Sequence, residues 1–251
     1  MLQVEAGNWT YDSTGYFPGV MLQNDQFVRA YSRWPVDVVN LGRYDLIYAQ
    51  RLLAREGLSE RTQSRPFIKN LISANGVFGT GVAAPAPYVI KEVLVPRIPG
   101  KKNRLRIAFV GLAEPLRPGG GMIDATVLNM YETARAVVPK ARKESDVLVI
   151  VAHAEIDGAM RLARENPEAD VVIAGNAEGI YKPREVGNTL VVSAAPGNIQ
   201  QGDLRLYLDK DWRVTFKWRS TDLDALVPID AAAEAFAQAA RQERERAGVI
   251  R

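Results

Sequence analysis

The sequence predicts an α/β fold, a pair of mixed sheets flanked by helices in one domain, and three features lead there. Short apolar runs of strand length alternate with amphipathic segments through the first two thirds of the chain. Each run closes on a glycine or polar residue, where α/β folds place their working loops. From residue 189 the pattern becomes strand-only until an alanine-rich tail begins.

In order, the first run spans 2–6 and stops at Gly7-Asn8. Apolar residues at 3–4 spacing over 26–34 predict a helix that ends at Pro35, because proline removes a helix donor and clashes with the preceding turn. A strand over 36–41 reaches Gly42, and a second helical pattern over 44–55 is closed by Gly57. Residues 67–73 are predicted as a strand running toward Asn75. The segments 88–96 and 104–110, separated by Ile98-Pro99-Gly100-Lys101-Lys102, predict an antiparallel hairpin with a basic turn. Helix 125–143 precedes strand 146–152, which ends at His153, and helix 156–165 precedes strand 171–174, which ends at Gly175-Asn176. Strands 189–193, 204–208 and 214–219 follow, the last two joined by Asp209-Lys210-Asp211. Residues 231–247 form an alanine-rich helix with a charged, solvated end. No internal repeat or low-complexity linker interrupts this series, so the expected division is one domain over 1–226 and a helical tail over 227–251.

Composition narrows the chemistry. There is no cysteine and one histidine, His153. Disulfides, thiol nucleophiles and Cys-ligated zinc are excluded, and one imidazole cannot build a His-rich metal centre. Any bound metal is expected to be held mostly by oxygen. A hydrophobic fraction of 47% and a charged fraction of 24% suit a globular chain with a full core. The 32 basic against 29 acidic residues leave a net charge of only +3, which argues against nucleic acid or an anionic membrane as partner. No apolar run approaches the roughly 20 residues of a transmembrane helix. Met1 leads directly into Leu-Gln-Val-Glu-Ala, without the charged and apolar regions of a secretory signal.

The strand ends carry a resemblance. Leu2-Gln-Val-Glu-Ala-Gly-Asn8 is similar to the strand ending in Gly-Asp of the calcineurin-like metallophosphoesterases, in their 5′-nucleotidase branch. Val36-Asp-Val-Val-Asn-Leu-Gly-Arg-Tyr-Asp45 resembles the segment ending in Gly-Asn-His-Glu/Asp, and Ile72-Ser-Ala-Asn75 resembles the Ser-Ala-Asn strand after it. Val147-Leu-Val-Ile-Val-Ala-His153 resembles the strand that ends in a metal-ligand His. Asp170-Val-Val-Ile-Ala-Gly-Asn-Ala-Glu178 is similar to the strand ending in Gly-His-x-His, and 188–208 to the closing strand pair. The match runs in order over about 1–220.

That resemblance implies a four-layer αββα sandwich with a two-metal, phosphate-ester-hydrolysing centre at the strand ends. Carried over residue by residue, the bridging Asp falls on Asn8, the ligand Asn on Arg43 and the adjacent His on Tyr44. The last two ligands fall on Asn176 and Glu178, and only His153 keeps the family's residue. The family's opening Asp-x-His strand would lie upstream of Met1, so the fold is expected either to lack its first strand or to continue in a longer product. No metal or other cofactor is expected; the alternative is one divalent cation held by oxygens of Asp45, Glu155, Asp157 and Glu178. The expected role is a non-catalytic binding or scaffold component, with a protein partner or within a larger assembly. Alternatives are a hydrolase with an atypical or incomplete metal site, and an anion or nucleotide sensor at Arg43 with Asn75 nearby. The resemblance implies an exported or periplasmic setting, whereas no signal is present in the sequence as given, and the compartment stays open.

Other features allow more than one reading or are expected to be structural. His153 is a vestigial ligand, a lone acid/base group or a hydrogen-bonded strand end. Helix caps account for Asp45 and Glu155 without a metal. Pro118-Gly-Gly-Gly-Met122 is a phosphate cradle or a plain loop. Trp9, Tyr11, Tyr16 and Phe17 form a recognition surface or pack over the strand ends. Trp212 and Trp218 are expected half-buried on the last hairpin.

Overall fold

The computed structural model describes residues 1–10, 18–56, 65–95, 103–115, 126–177, 179, 182–193, 200–209, 211 and 213–249. Two sheets face each other. β1 (Val4–Glu5), β2 (Val38–Asn40) and β3 (Leu71–Ile72) form a parallel three-stranded sheet in that order. β4 (Tyr88–Leu94), β5 (Arg104–Ala113), β6 (Val147–His153), β7 (Val171–Ala174), β8 (Arg184–Val186) and β9 (Thr189–Ser193) form a six-stranded sheet in the order β4-β5-β6-β7-β9-β8. Its centre, β5 to β9, is parallel, and its edges β4 and β8 are antiparallel. A separate hairpin pairs β10 (Gln200–Leu208) with β11 (Val214–Asp222).

The alternation of side chains along each strand separates the layers. Val39 and Leu41 face α1 (Pro18–Arg33), α2 (Asp45–Glu56) and the short α3 (Arg65–Ile68). Val38 and Ile72 turn inward against Ile107, Phe109, Val147, Val149 and Val151 of the larger sheet, whose inner face the hairpin also covers with Leu204, Leu206 and Phe216. On the opposite face, Val110, Leu112, Leu148, Ile150 and Val172 pack against α4 (Met130–Lys143) and α5 (Ile156–Glu165). This is the four-layer αββα order. Both faces of the central strands are buried, which explains why they read as continuous apolar runs. Asn129 caps α4 by accepting from the amides of Tyr131 and Glu132, at 3.0 and 3.2 Å.

The sheets meet closely at their carboxyl ends. Asn40, fully buried, donates through Nδ2 to the carbonyls of Ala6 (3.3 Å) and Leu112 (2.9 Å), tying the two sheets together. Gly111 sits opposite, where a Cβ would lie 2.6 Å from Asn40 Oδ1 and 2.8 Å from Ile72 Cγ1. The tail helix α6 (Ala231–Arg246) packs back on α1. Gln26 Nε2 donates to the Ala240 carbonyl (2.9 Å) and Glu243 (3.0 Å), Arg29 pairs with Glu243, and Phe236 meets Trp34 edge-on.

Several elements differ from expectation. The stretch read as a strand over 67–73 begins as α3 and becomes strand only at Leu71–Ile72. Phe67 is buried in the helical layer, so an apolar run that looked like one strand serves two elements. Helix α1 starts eight residues before the expected position, and α4 begins at Met130 behind its Asn129 cap. The edge strand β8, with charged Arg184 and Glu185, carried no apolar signal. Trp218 is half-buried, as expected, while Trp212 and the turn at 98–102 lie outside the described residues.

Gly111→Ala is expected to lower stability by about 1–3 kcal/mol, because the added methyl meets backbone-anchored neighbours in a packed interface. The shift of the urea unfolding midpoint measures it; an unchanged midpoint would show that the sheets can separate at no cost.

Candidate functional site

Four strand ends converge. A Cβ on Gly7 would lie 2.7 Å from the Gly42 amide nitrogen and 3.0 Å from His153 Cβ, and one on Gly42 would lie 3.0 Å from His153 Cδ2. A Cβ on Gly175 would lie 2.5 Å from the Ala6 carbonyl oxygen. The turns after β1, β2, β6 and β7 therefore touch one another, and only glycine permits the approach. Asn8, Arg43, Tyr44, His153 and Asn176 all stand on these turns. The Asn176 amide donates to the Ala154 carbonyl at 3.2 Å, fixing the β7 turn beside the β6 end.

The β1 turn is held by two carboxylates, Glu5, which accepts from the Gly7 amide at 3.3 Å, and Asp45. Gly7 and Asn8 have φ of 108° and 61°, and Asn8 is the one non-glycine residue with positive φ among the described residues. Asp45, fully buried at the start of α2, accepts from the amides of Asn8 (2.5 Å) and Gly42 (2.8 Å) through Oδ2, and from the Thr10 amide (3.0 Å) and hydroxyl (2.9 Å) through Oδ1. Asp45 is thus a clamp between two turns and makes no side-chain cap to α2. Burial nevertheless dominates, pushing its carboxyl up to about 7 against these donors. Glu5 also accepts from Tyr31 Oη at 3.1 Å, and burial raises both groups above their ordinary values.

Arg43 and His153 supply the remaining electrostatics. The Arg43 guanidinium lies 5.0 Å over the Tyr44 ring, and its Nε is buried without a hydrogen-bond partner. His153 is buried and its Nδ1 also has no partner. Burial, and then the nearby Arg43 charge, depress its imidazole to about 4. At neutral pH it is uncharged, and it is poorly matched to proton transfer there. Asn8 Oδ1 accepts from the Tyr44 amide at 3.3 Å.

The other expected site residues fall elsewhere. Asn75 is fully buried; its Nδ2 donates to the carbonyls of Ala113 (2.7 Å) and Leu128 (2.8 Å), and its Oδ1 accepts from the Ala113 amide (2.9 Å), so the amide braces a loop against β5. Glu155 occupies the N-cap position of α5 without the side-chain cap bond expected of it. Among the described residues no group of three or more His, Asp or Glu side chains is placed to hold a metal ion. Trp9 is buried behind the β1 turn against Phe67, Tyr48 and Tyr31, at centroid distances of 5.0, 5.9 and 6.5 Å, and so belongs to the core. Glu178, Tyr11, Tyr16, Phe17 and the 118–122 loop lie outside the described residues. Sequence reasoning missed the clamp of Asp45 and the Asn40 link. The visible signal for Asn40 was a polar residue inside the apolar run Val38-Val39-Asn40-Leu41.

Two opposed pH dependences follow. His153 has a folded value (about 4) below its ordinary 6.5, so its contribution is present above pH 6.5 and is lost as pH falls toward 4, by at most about 3 kcal/mol. Asp45 has a folded value (about 7) above its ordinary 3.8, so the folded state holds the proton more tightly and stability declines as pH rises through that window, by at most about 4 kcal/mol. Relative to the unaltered chain, His153→Gln is expected to make stability fall more steeply between pH 4.5 and 7, and Asp45→Asn to turn the slope the other way. Urea unfolding across that range reads both slopes; parallel profiles for all three proteins would contradict the assignment.

No family model matches the chain. The uncharacterized metallophosphoesterase YunD of Bacillus subtilis is 24% identical over 128 residues, covering 51% of this chain and 25% of YunD. The chain thus spans about a quarter of that curated relative. Among solved structures, the 5′-nucleotidase precursor of Thermus thermophilus matches with a TM-score of 0.68 at 19% identity, over 98% of this chain and 50% of that one. The calcineurin-like phosphoesterase YfkN of Bacillus subtilis matches with a TM-score of 0.67 at 18% identity, over 96% of this chain and 83% of that one. With the four layers and the order of strand ends, these similarities identify the chain as having the calcineurin-like metallophosphoesterase fold in its 5′-nucleotidase-like form.

Proposed function

We propose that this chain is a non-catalytic member of that fold, serving as a binding or scaffold component of a larger assembly. The observation that carries the reading is Arg43, a cation placed beside His153 at the converging strand ends. A two-metal centre needs anionic ligands there. Among the described residues the set does not fit one: Asn8 is a neutral amide, and the clamp Asp45 has both oxygens engaged by four donors. A guanidinium at the strand ends repels a dication, and a neutral Asn and one imidazole carry no charge to offset it. His153, held neutral and with Nδ1 unpaired to a carboxylate among the described residues, lacks there the orienting group that a general base would use.

A partner role is supported by the segment between β11 and α6. Leu226 and Ile229 are 87% and 77% exposed there, with Leu223 and Val227 also open to solvent. Large apolar side chains grouped in this way favour a surface that another component covers.

The decisive measurement combines elemental analysis of the purified native chain with assays of p-nitrophenyl phosphate and AMP hydrolysis in manganese. We expect no stoichiometric divalent metal and no hydrolysis above the metal-only blank. Metal-dependent turnover that disappears in His153→Ala would overturn the reading.

A further inference from the structure

We propose that the strand-end cluster of Asn8, Arg43, Tyr44, His153 and Asn176 binds a phosphate-sized oxyanion without a metal, with the Arg43 guanidinium supplying the charge. The inference rests on the non-catalytic reading and names the ligand class of the same site. Arg43 forms no ion pair among the described residues, and its Nε is buried without a partner. Desolvating a guanidinium nitrogen with nothing to donate to is costly, and an anion is the partner that removes the cost. The carboxylate nearby in sequence, Asp45, is not that partner, because both of its oxygens are taken by Asn8, Gly42 and Thr10.

The surrounding groups are donors or neutral. His153 is 1% exposed, its Cδ2 edge lies toward Gly42, and its imidazole is neutral, so it adds no opposing charge beside the Arg43 turn. The carbonyl end of the Asn8 amide is occupied by the Tyr44 N–H at 3.3 Å, leaving its NH2 end as the free one among the described residues. Asn176 adds a second half-buried amide on the adjoining turn. The Arg43 guanidinium also lies 5.0 Å over the Tyr44 ring, a cation–π contact that limits its freedom on the turn, and its planar fork suits recognition of two oxygens on one phosphoryl group.

The single histidine gives a direct readout. At pH 7.5 with EDTA present, the imidazole resonance of the intact chain is followed by NMR during titration with inorganic phosphate and, separately, with AMP. A saturable shift is expected. Equal response to both probes means the site reads the phosphoryl group alone; response to AMP only means it also reads the ester. Arg43→Met is expected to weaken binding at least tenfold, and Arg43→Lys to retain part of it, with the unliganded resonance confirming that each variant is folded. Silence with both probes, affinity unchanged in Arg43→Met, or a shift that requires added divalent metal would overturn the inference. Silence without metal uptake removes this inference alone, whereas metal uptake with hydrolysis removes the non-catalytic reading beneath it.

Discussion

The architecture depends on how closely two sheets approach at their carboxyl ends. Gly7, Gly42, Gly111 and Gly175 each stand where a Cβ would meet backbone or a buried side chain of the facing turn. Packed sheets ordinarily sit about 10 Å apart, spaced by interdigitating side chains. Along most of their length the space between these sheets is filled by side chains such as Val38, Ile72, Phe109, Val149 and Val151. At the strand ends the side-chain layer thins, and polar links replace it. Asn40 bridges the carbonyls of Ala6 and Leu112 across the gap, doing for the sheets what a ladder bond does within one. Close approach and buried polarity are therefore one requirement: without side chains between them, the backbones must find hydrogen bonds in each other.

The same requirement explains Asp45. A turn through two positive-φ residues, Gly7 and Asn8, leaves its amides pointing inward, away from water. A carboxylate is the compact group able to accept several amides at once, and Asp45 takes those of Asn8, Thr10 and Gly42. Its cost is a buried ionisable group with no cation paired to it among the described contacts. Geometry favours the charged form and burial the neutral one; the raised value shows that burial wins by a margin the donors only reduce.

The layers were legible in the sequence because both sheets have clear rhythms. The central strands β5, β6 and β7 are buried on both faces and appear as unbroken apolar runs, while α4 and α5 show helical spacing with an Asn129 cap or a polar boundary. What was hidden depended on distant partners. Phe67 could not reveal that it belongs to a helix, since its neighbours Trp9 and Tyr31 come from elsewhere in the chain. The site was half legible. Position along the strands brought Asn8, Arg43, Tyr44, His153 and Asn176 to one place, but Asn75 followed the same logic and is a structural brace. Spacing places a residue near a site; only packing decides whether its polar atoms face inward to the backbone or outward to a ligand.

Arg43 sets the charge at this convergence of strand ends. A metal pair concentrates positive charge at the strand ends and needs carboxylates and imidazoles around it. A guanidinium beside His153 supplies a single fixed positive charge instead, and that charge comes with the chain. Burial is the main cause that keeps the neighbouring imidazole neutral, and the Arg43 charge adds to it while repelling incoming cations. The neutral amides of Asn8 and Asn176 suit this arrangement, since carboxylates in their place would pair with Arg43 and neutralise it. Asn8, Arg43 and Asn176 are thus electrostatically consistent with one another: a cation flanked by neutral amides keeps its charge without an ion pair among the described residues.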